Sequence, residues 1–160
     1  YFVKGLSGAQ YALPSAVEAL RAARGDLAES QEIVLLSALD PVGLYGGEAL
    51  GFAAEVTEGT ERVEEAMPRF ARVPSTHVVL WRGQPVLVGE DSGTRLWAAD
   101  AGGDVLRRAL TLYLERPTAL RRVAITTWNG GPVIGSPGEV LLREAGASRS
   151  PTGLDYWRSA

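Results

Sequence analysis

Three short β-forming runs separated by tight turns are the feature that most constrains the fold of this chain. Apolar and β-branched side chains are concentrated at residues 77–81, 85–89 and 94–98. The dipeptide Arg82-Gly83 separates the first two runs, and a short polar turn that begins at Glu90 separates the last two. Runs of this length joined by such short turns pair as neighbouring antiparallel strands. The segment therefore predicts a three-stranded meander.

Three further segments have the pattern of helices. Ser15 and Glu18 have the spacing of a capping box and Gly25 follows, which predicts a helix over residues 15–24. Apolar residues recur at helical spacing over residues 104–115, ahead of Pro117. The third helix is predicted to begin after Ser136, because Pro137 suits the first helical position, and to close at Gly146.

The remaining elements are shorter. A buried strand is predicted at 32–37, a hairpin of 120–128 with 132–134 around Asn129-Gly130, and a last strand at 154–157. We interpret residues 42–59 as a surface loop and 61–67 as a brief helix. Three main helices and about seven strands predict an α+β fold, either an antiparallel sheet or a small β-barrel with about three flanking helices.

Length and composition set limits on the class of protein. The 160 residues suffice for one domain, with possible lobes at 1–60 and 61–160. No apolar run approaches the roughly 20 residues that span a bilayer, so the sequence predicts no membrane segment. The chain has no cysteine, which excludes disulfides and thiolate metal sites. A cytoplasmic setting is therefore expected.

Charge is distributed unevenly along the chain. Residues 1–60 carry 3 basic and 8 acidic side chains, whereas residues 61–160 carry 13 basic and 11 acidic ones. Arginine is the side chain that pairs bidentately with phosphate and stacks on bases. The bias places any DNA contact in the second half, although high-GC codon usage and an ordinary soluble surface are the more common explanation of such a bias.

The candidate nucleic-acid-binding residues follow from that bias. Arginines that precede or flank the predicted meander are candidates for phosphate contacts, and a tryptophan beside the Asn129-Gly130 turn is predicted to be exposed and to stack on a base. Core packing is the usual role of the other tryptophans, Trp81 and Trp97 in particular. The candidates are Arg69, Arg72, Arg82, Arg95 and Trp128.

Motifs that carry catalysis are missing from the sequence. There is no phosphate-binding loop with its lysine, since Lys4 is the only lysine. One histidine, His77, cannot form a multi-histidine metal site. The string Glu90-Asp91-Ser92-Gly93 is similar to a serine-protease nucleophile sequence, but no third group is evident that would orient His77 as a base. We therefore predict no catalytic, cofactor or metal site.

Several motifs in a fixed order resemble one helicase family. The chain opens with an aromatic run, a Gly5-Leu6-Ser7-Gly8 turn and a Gln10-Tyr11-Ala12-Leu13-Pro14 helix entry. A strand end at Leu39-Asp40-Pro41 follows, and later the run Gly135-Ser136-Pro137. Together these features resemble the terminal module in the core of large helicase-related (Lhr-type) DNA helicases. The match departs from the family mainly at residues 48–75, where an acidic insertion replaces a more basic segment.

The resemblance implies a role within a larger machine. It implies that the chain is a non-catalytic C-terminal module, cut from an ATP-dependent 3′-to-5′ DNA helicase used in DNA repair. RecA-like domains would then bind ATP and Mg²⁺, and a winged helix would precede this module. Single-stranded or tailed DNA is the expected partner of the parent protein. The alternative is a structural or protein-docking domain without DNA contact, for which an apolar patch of Leu44, Tyr45 and Phe52 would be evidence.

Overall fold

The computed structural model describes residues 11–41, 43, 45–46 and 70–158, with the backbone alone for residues 24–29. The helices are α1 (Pro14–Glu29), α2 (Gly103–Leu114) and α3 (Pro137–Glu144). The strands are β1 (Ile33–Ser37), β2 (His77–Trp81), β3 (Gln84–Glu90), β4 (Arg95–Ala98), β5 (Arg122–Ile125), β6 (Thr127–Trp128), β7 (Gly131–Pro132), β8 (Ser148–Ser150) and β9 (Gly153–Trp157). The predicted α+β class is confirmed, as open sheets rather than a barrel within the described ranges.

The larger sheet contains the predicted meander. Its strand order is β1-β2-β3-β4-β6-β7, and the three pairs β1–β2, β2–β3 and β3–β4 are antiparallel. Arg82 and Gly83 have φ values of 50° and 72°, which is the left-handed turn that matches the twist of a two-residue hairpin. The polar turn between β3 and β4 contains a 3-10 helix, Asp91–Gly93. The meander prediction is therefore confirmed, including its turn chemistry.

The prediction of one continuous strand at 120–128 is wrong, because the segment forms two strands. Its first part, β5, pairs with β9 in a second sheet of order β5-β9-β8. Its second part, β6, pairs in parallel with β4, with Leu96 opposite Trp128. At the junction the amide of Thr126 donates to the carbonyl of Thr94 at 2.8 Å. The Asn129-Gly130 hairpin is real but short, because β6 and β7 contribute only two residue pairs.

The larger of two core clusters is built by α2, α3 and both sheets. Helix α2 buries Ala109, Leu110, Tyr113 and Leu114, as its helical periodicity predicted. A Cβ atom at Gly89 in β3 would lie 2.1 Å from the hydroxyl of Tyr113. Only glycine at that position therefore lets the helix approach the strand this closely.

The helix ends differ from prediction in two places. Helix α1 begins at Pro14 and continues through Gly25 to Glu29, so Ser15 lies inside it. Glu18 pairs with Arg21 at 2.7 Å instead of completing a capping box. Helix α3 begins at Pro137, as predicted, but the Ser136 hydroxyl donates to the Val133 carbonyl and does not cap the helix.

Two predictions fall largely or wholly on residues outside the described ranges. They are the surface loop at 42–59, of which only residues 43, 45 and 46 are described, and the helix at 61–67. The short strand β8 was not predicted, since its three residues carry no apolar alternation. Among the described helices, none has both the length and the apolar character that a bilayer crossing requires.

Candidate nucleic-acid interface

Arg72, one of the arginines predicted to contact phosphate, forms hydrogen bonds within the protein. Its Nε donates to the Ala38 carbonyl at 2.9 Å, and its Nη2 donates to the Asp40 carbonyl at 3.0 Å. Both acceptors lie just beyond β1, so Arg72 fixes the end of that strand to the segment that leads into β2. The other predicted arginine ahead of the meander, Arg69, lies outside the described residues.

Arg82 lies in the β2–β3 turn and is exposed. Its guanidinium carbon stands 4.4 Å from the centroid of the Trp81 ring, and its Nε donates to the Ser30 carbonyl at 3.3 Å. The first contact is a cation–π pair, and the second joins the turn to the chain that follows α1. Arg82 therefore stacks on a protein side chain in this structure.

Arg95 lies at the start of β4 among acidic groups. Its Nε is 3.0 Å from a carboxylate oxygen of Asp91, and its Nη2 is 3.7 Å from Glu90. Half of its side chain is exposed, at 52 %. Two neighbouring carboxylates offset its charge, which makes it a weaker phosphate ligand than an unpaired arginine.

Trp128 is buried, which corrects the prediction that it would be exposed near a hairpin tip. Only 6 % of the residue is accessible, and α3 covers it so closely that a Cβ at Gly138 would lie 2.1 Å from its ring. The cause is the parallel pairing of β6 with β4, which brings the whole short hairpin over the core. The Asn129 side chain secures the pairing through bonds of 2.7 and 3.0 Å to the amide and carbonyl of Ala98.

Trp157 is the exposed tryptophan, with 62 % of its surface accessible. It lies at the end of β9 opposite Arg122, whose guanidinium carbon is 5.8 Å from its ring centroid. Strand alternation could have predicted this exposure. Leu154 faces the core, and Trp157, three residues further on, lies on the opposite face of the strand. The sequence pattern instead predicted exposure for Trp128.

A group of buried polar side chains surrounds Tyr113. The Tyr113 ring packs edge-on to His77, with centroids 6.4 Å apart, and the Arg116 guanidinium lies 3.9 Å from its centroid. Burial raises the pKa of the Tyr113 hydroxyl to about 12. Burial, and then the charge of Arg116, lower the pKa of His77. Desolvation is the largest cause of both pKa shifts.

In the ranges that the structure describes, no hydrogen bond joins the Ser92 hydroxyl to His77. Nδ1 of His77 is buried and has no hydrogen-bond partner, and the Ser92 amide donates to the Ser75 carbonyl at 2.9 Å. Among the described residues, no three His, Asp or Glu side chains come together as a metal-binding group.

Of the three residues in the apolar patch expected of a docking domain, Tyr45 is the one that the structure describes. Leu44 and Phe52 lie outside the described residues. Tyr45 is half-buried, and its hydroxyl donates to the Gly83 carbonyl at 2.6 Å, so it joins this loop to the β2–β3 turn. Burial raises its pKa.

Comparison with known proteins gives one informative relative. No protein-family model matches the chain. The chain is 32% identical over 161 residues to the Lhr helicase/uracil glycosylase of Escherichia coli (strain K12), an alignment that takes in 97% of the chain. It covers 10% of that relative, so the chain spans about a tenth of the length of the curated protein it matches. The chain is thus a module related to Lhr.

Proposed function

We propose that the chain is a non-catalytic C-terminal module of an ATP-dependent 3′-to-5′ DNA helicase that acts in DNA repair in the cytoplasm. In this role it braces the neighbouring domains and helps to form the path of the single strand. ATP and Mg²⁺ would be bound by RecA-like domains of the same polypeptide, and a winged helix would lie next to this module. The observation that carries the proposal is the 32% identity to a helicase over 97% of the chain.

The contacts of the predicted arginines favour the bracing part of this role. Arg72 binds two backbone carbonyls, Arg82 stacks on Trp81, and Arg95 pairs with acids. Each of these contacts stabilises the meander or its connections. Contacts of this kind suit a module that braces neighbouring domains.

The same contacts support a second candidate function, a structural or protein-docking domain with no DNA contact. Three of the arginines that the sequence assigned to phosphate are engaged within the protein. The acidic first 60 residues, with 8 acids against 3 basic groups, would then face another domain. Direct measurement of DNA binding separates the two functions.

Fluorescence anisotropy with a labelled oligothymidylate tests the DNA part of the proposal. The complete gene product that contains the chain should bind in a salt-dependent manner, more weakly at about 200 mM than at about 50 mM salt. The 160-residue chain alone should bind with a Kd of about 10⁻⁶–10⁻⁴ M, in the range of non-specific contacts. Undetectable binding by both proteins would refute the DNA path and leave the docking function.

A further inference from the structure

The three-stranded sheet presents an aromatic side chain, Trp157, that the described part of the chain leaves largely exposed. Trp157 is 62 % exposed, whereas Trp128 is 6 % exposed and Trp81 has a buried indole nitrogen. We propose that Trp157 is a stacking platform for an unpaired base of single-stranded DNA, with neighbouring arginines that contact the flanking phosphates. This inference rests on the proposed function and specifies where the single strand is bound.

The platform is held in place by its neighbours on the sheet. Trp157 lies in register with Arg122 across the β5–β9 pair. The Nη2 of Arg122 is 3.0 Å from the Asp155 carboxylate, which fixes the guanidinium 5.8 Å from the Trp157 ring centroid. A ring on a regular strand has little conformational freedom to lose on binding. Its free face is therefore ready to receive a base.

The charge around the platform suits a polyanion. The amide of Arg158 donates to the Arg121 carbonyl at 3.0 Å, and its guanidinium donates to the carbonyls of Leu114 and Arg116. These bonds bring the 114–122 and 153–158 segments together, with four arginines and two acids between them. One of these arginines, Arg116, is only 3 % exposed, so the other three exceed the two acids by one positive charge, although the chain as a whole carries a net charge of -3.

Arg121, just ahead of β5, is the arginine of this segment whose side chain is available to bind a phosphate. It is exposed, and within the described part of the chain its side chain makes no ion pair or hydrogen bond. Arg122, beside it, is engaged with Asp155 and the Trp157 ring. Proteins that bind single strands without reading their sequence combine basic side chains along the backbone path with rings on which bases stack.

Substitution of Trp157 in the complete gene product tests the platform. Trp157→Leu removes the aromatic face but keeps an apolar side chain, whereas Trp157→Phe keeps a smaller ring. In the absence of ATP, the Kd for labelled oligothymidylate should rise about fivefold or more for the Leu variant, and less for the Phe variant. Thermal melts should be unchanged, since the side chain is largely exposed.

Arg121→Ala tests the phosphate contact, with Arg143→Ala on α3 as a control of equal charge. The first variant should weaken binding and lower the slope of log Kd against log salt by about one, and the control should change neither. If the gene product binds DNA and both Trp157 variants bind it as tightly as the wild type, the platform is refuted but the proposed function stands. Trp157 would then be a candidate for contact with another protein. If the wild-type gene product binds no DNA, the proposed function fails as well.

Discussion

The Nη2 of Arg116 donates to the backbone carbonyl of Ser92 at 2.7 Å and so connects the end of α2 to the turn between β3 and β4. Its Nη1 donates to the Tyr113 carbonyl, also at 2.7 Å, at the carboxyl end of the helix. Arg116 is only 3 % exposed, and burial lowers its pKa, yet a guanidinium stays charged at neutral pH. A single buried cation therefore joins the helix to the sheet.

Arg116→Met should lower the free energy of unfolding by about 2–3 kcal/mol, because two charge-assisted hydrogen bonds are lost and the Ser92 carbonyl loses its donor. Urea unfolding at neutral pH measures the effect. Arg116→Lys keeps the charge but cannot reach both carbonyls with a planar fork, so it should fall between the wild type and the Met variant. A Met variant as stable as the wild type would show that the buried cation contributes nothing.

Gly138→Ala should destabilise the protein by about 1–3 kcal/mol, because the new Cβ would overlap the buried Trp128 ring. Gly103→Ala is the matched control, since it also lies in the first turn of a helix. A Cβ there would meet only the flexible end of Arg107, at 3.3 Å. The control should be neutral or slightly stabilising in thermal melts, and equal losses at the two positions would contradict the packing of α3 on Trp128.

His77 should make the protein less stable in mild acid. Its pKa is lowered in the folded state from the ordinary value of 6.5, first by burial and then by Arg116. The unfolded chain therefore takes up the proton first as pH falls below 6.5, and stability is lost from there down to the folded pKa. His77→Gln should reduce the difference in urea unfolding between pH 7.5 and about pH 5. An unchanged difference would mean that His77 does not titrate in this way.

Arg72→Ala should weaken the fold and leave DNA binding unchanged. Loss of the bonds to Ala38 and Asp40 should lower the free energy of unfolding by about 1–2 kcal/mol. Anisotropy with oligothymidylate should give the same Kd as the wild type at a temperature where both are folded. A weaker Kd without a loss of stability would instead make Arg72 a phosphate ligand.

The sequence predicted best where local chemistry decides the structure. The β2–β3 hairpin follows from Arg82-Gly83, which adopts two consecutive positive φ values, and α2 follows from the spacing of its apolar residues. Helix α1 was predicted too short, because glycine at position 25 costs only about 1 kcal/mol in a helix and did not end it.

Non-local pairing accounts for what the sequence did not predict. The alternation of apolar residues along 120–128 carries no information about strand partners. It could not show that β5 belongs to one sheet and β6 to another. The same parallel pairing with β4 buries Trp128, although its place beside a turn is typical of an exposed residue. Trp157, by contrast, lies on a strand that was predicted, and its exposure depends on which face of that strand the core covers.

An ATP-dependent strand-displacement assay on a tailed duplex tests the central claim most directly. The complete gene product should unwind the duplex when ATP and Mg²⁺ are added, and the 160-residue chain alone should neither unwind DNA nor hydrolyse ATP. If deletion of these 160 residues from the gene product abolishes unwinding, the module is needed for ATP-driven unwinding. A gene product that cannot unwind DNA, or a chain that hydrolyses ATP unaided, would contradict the account.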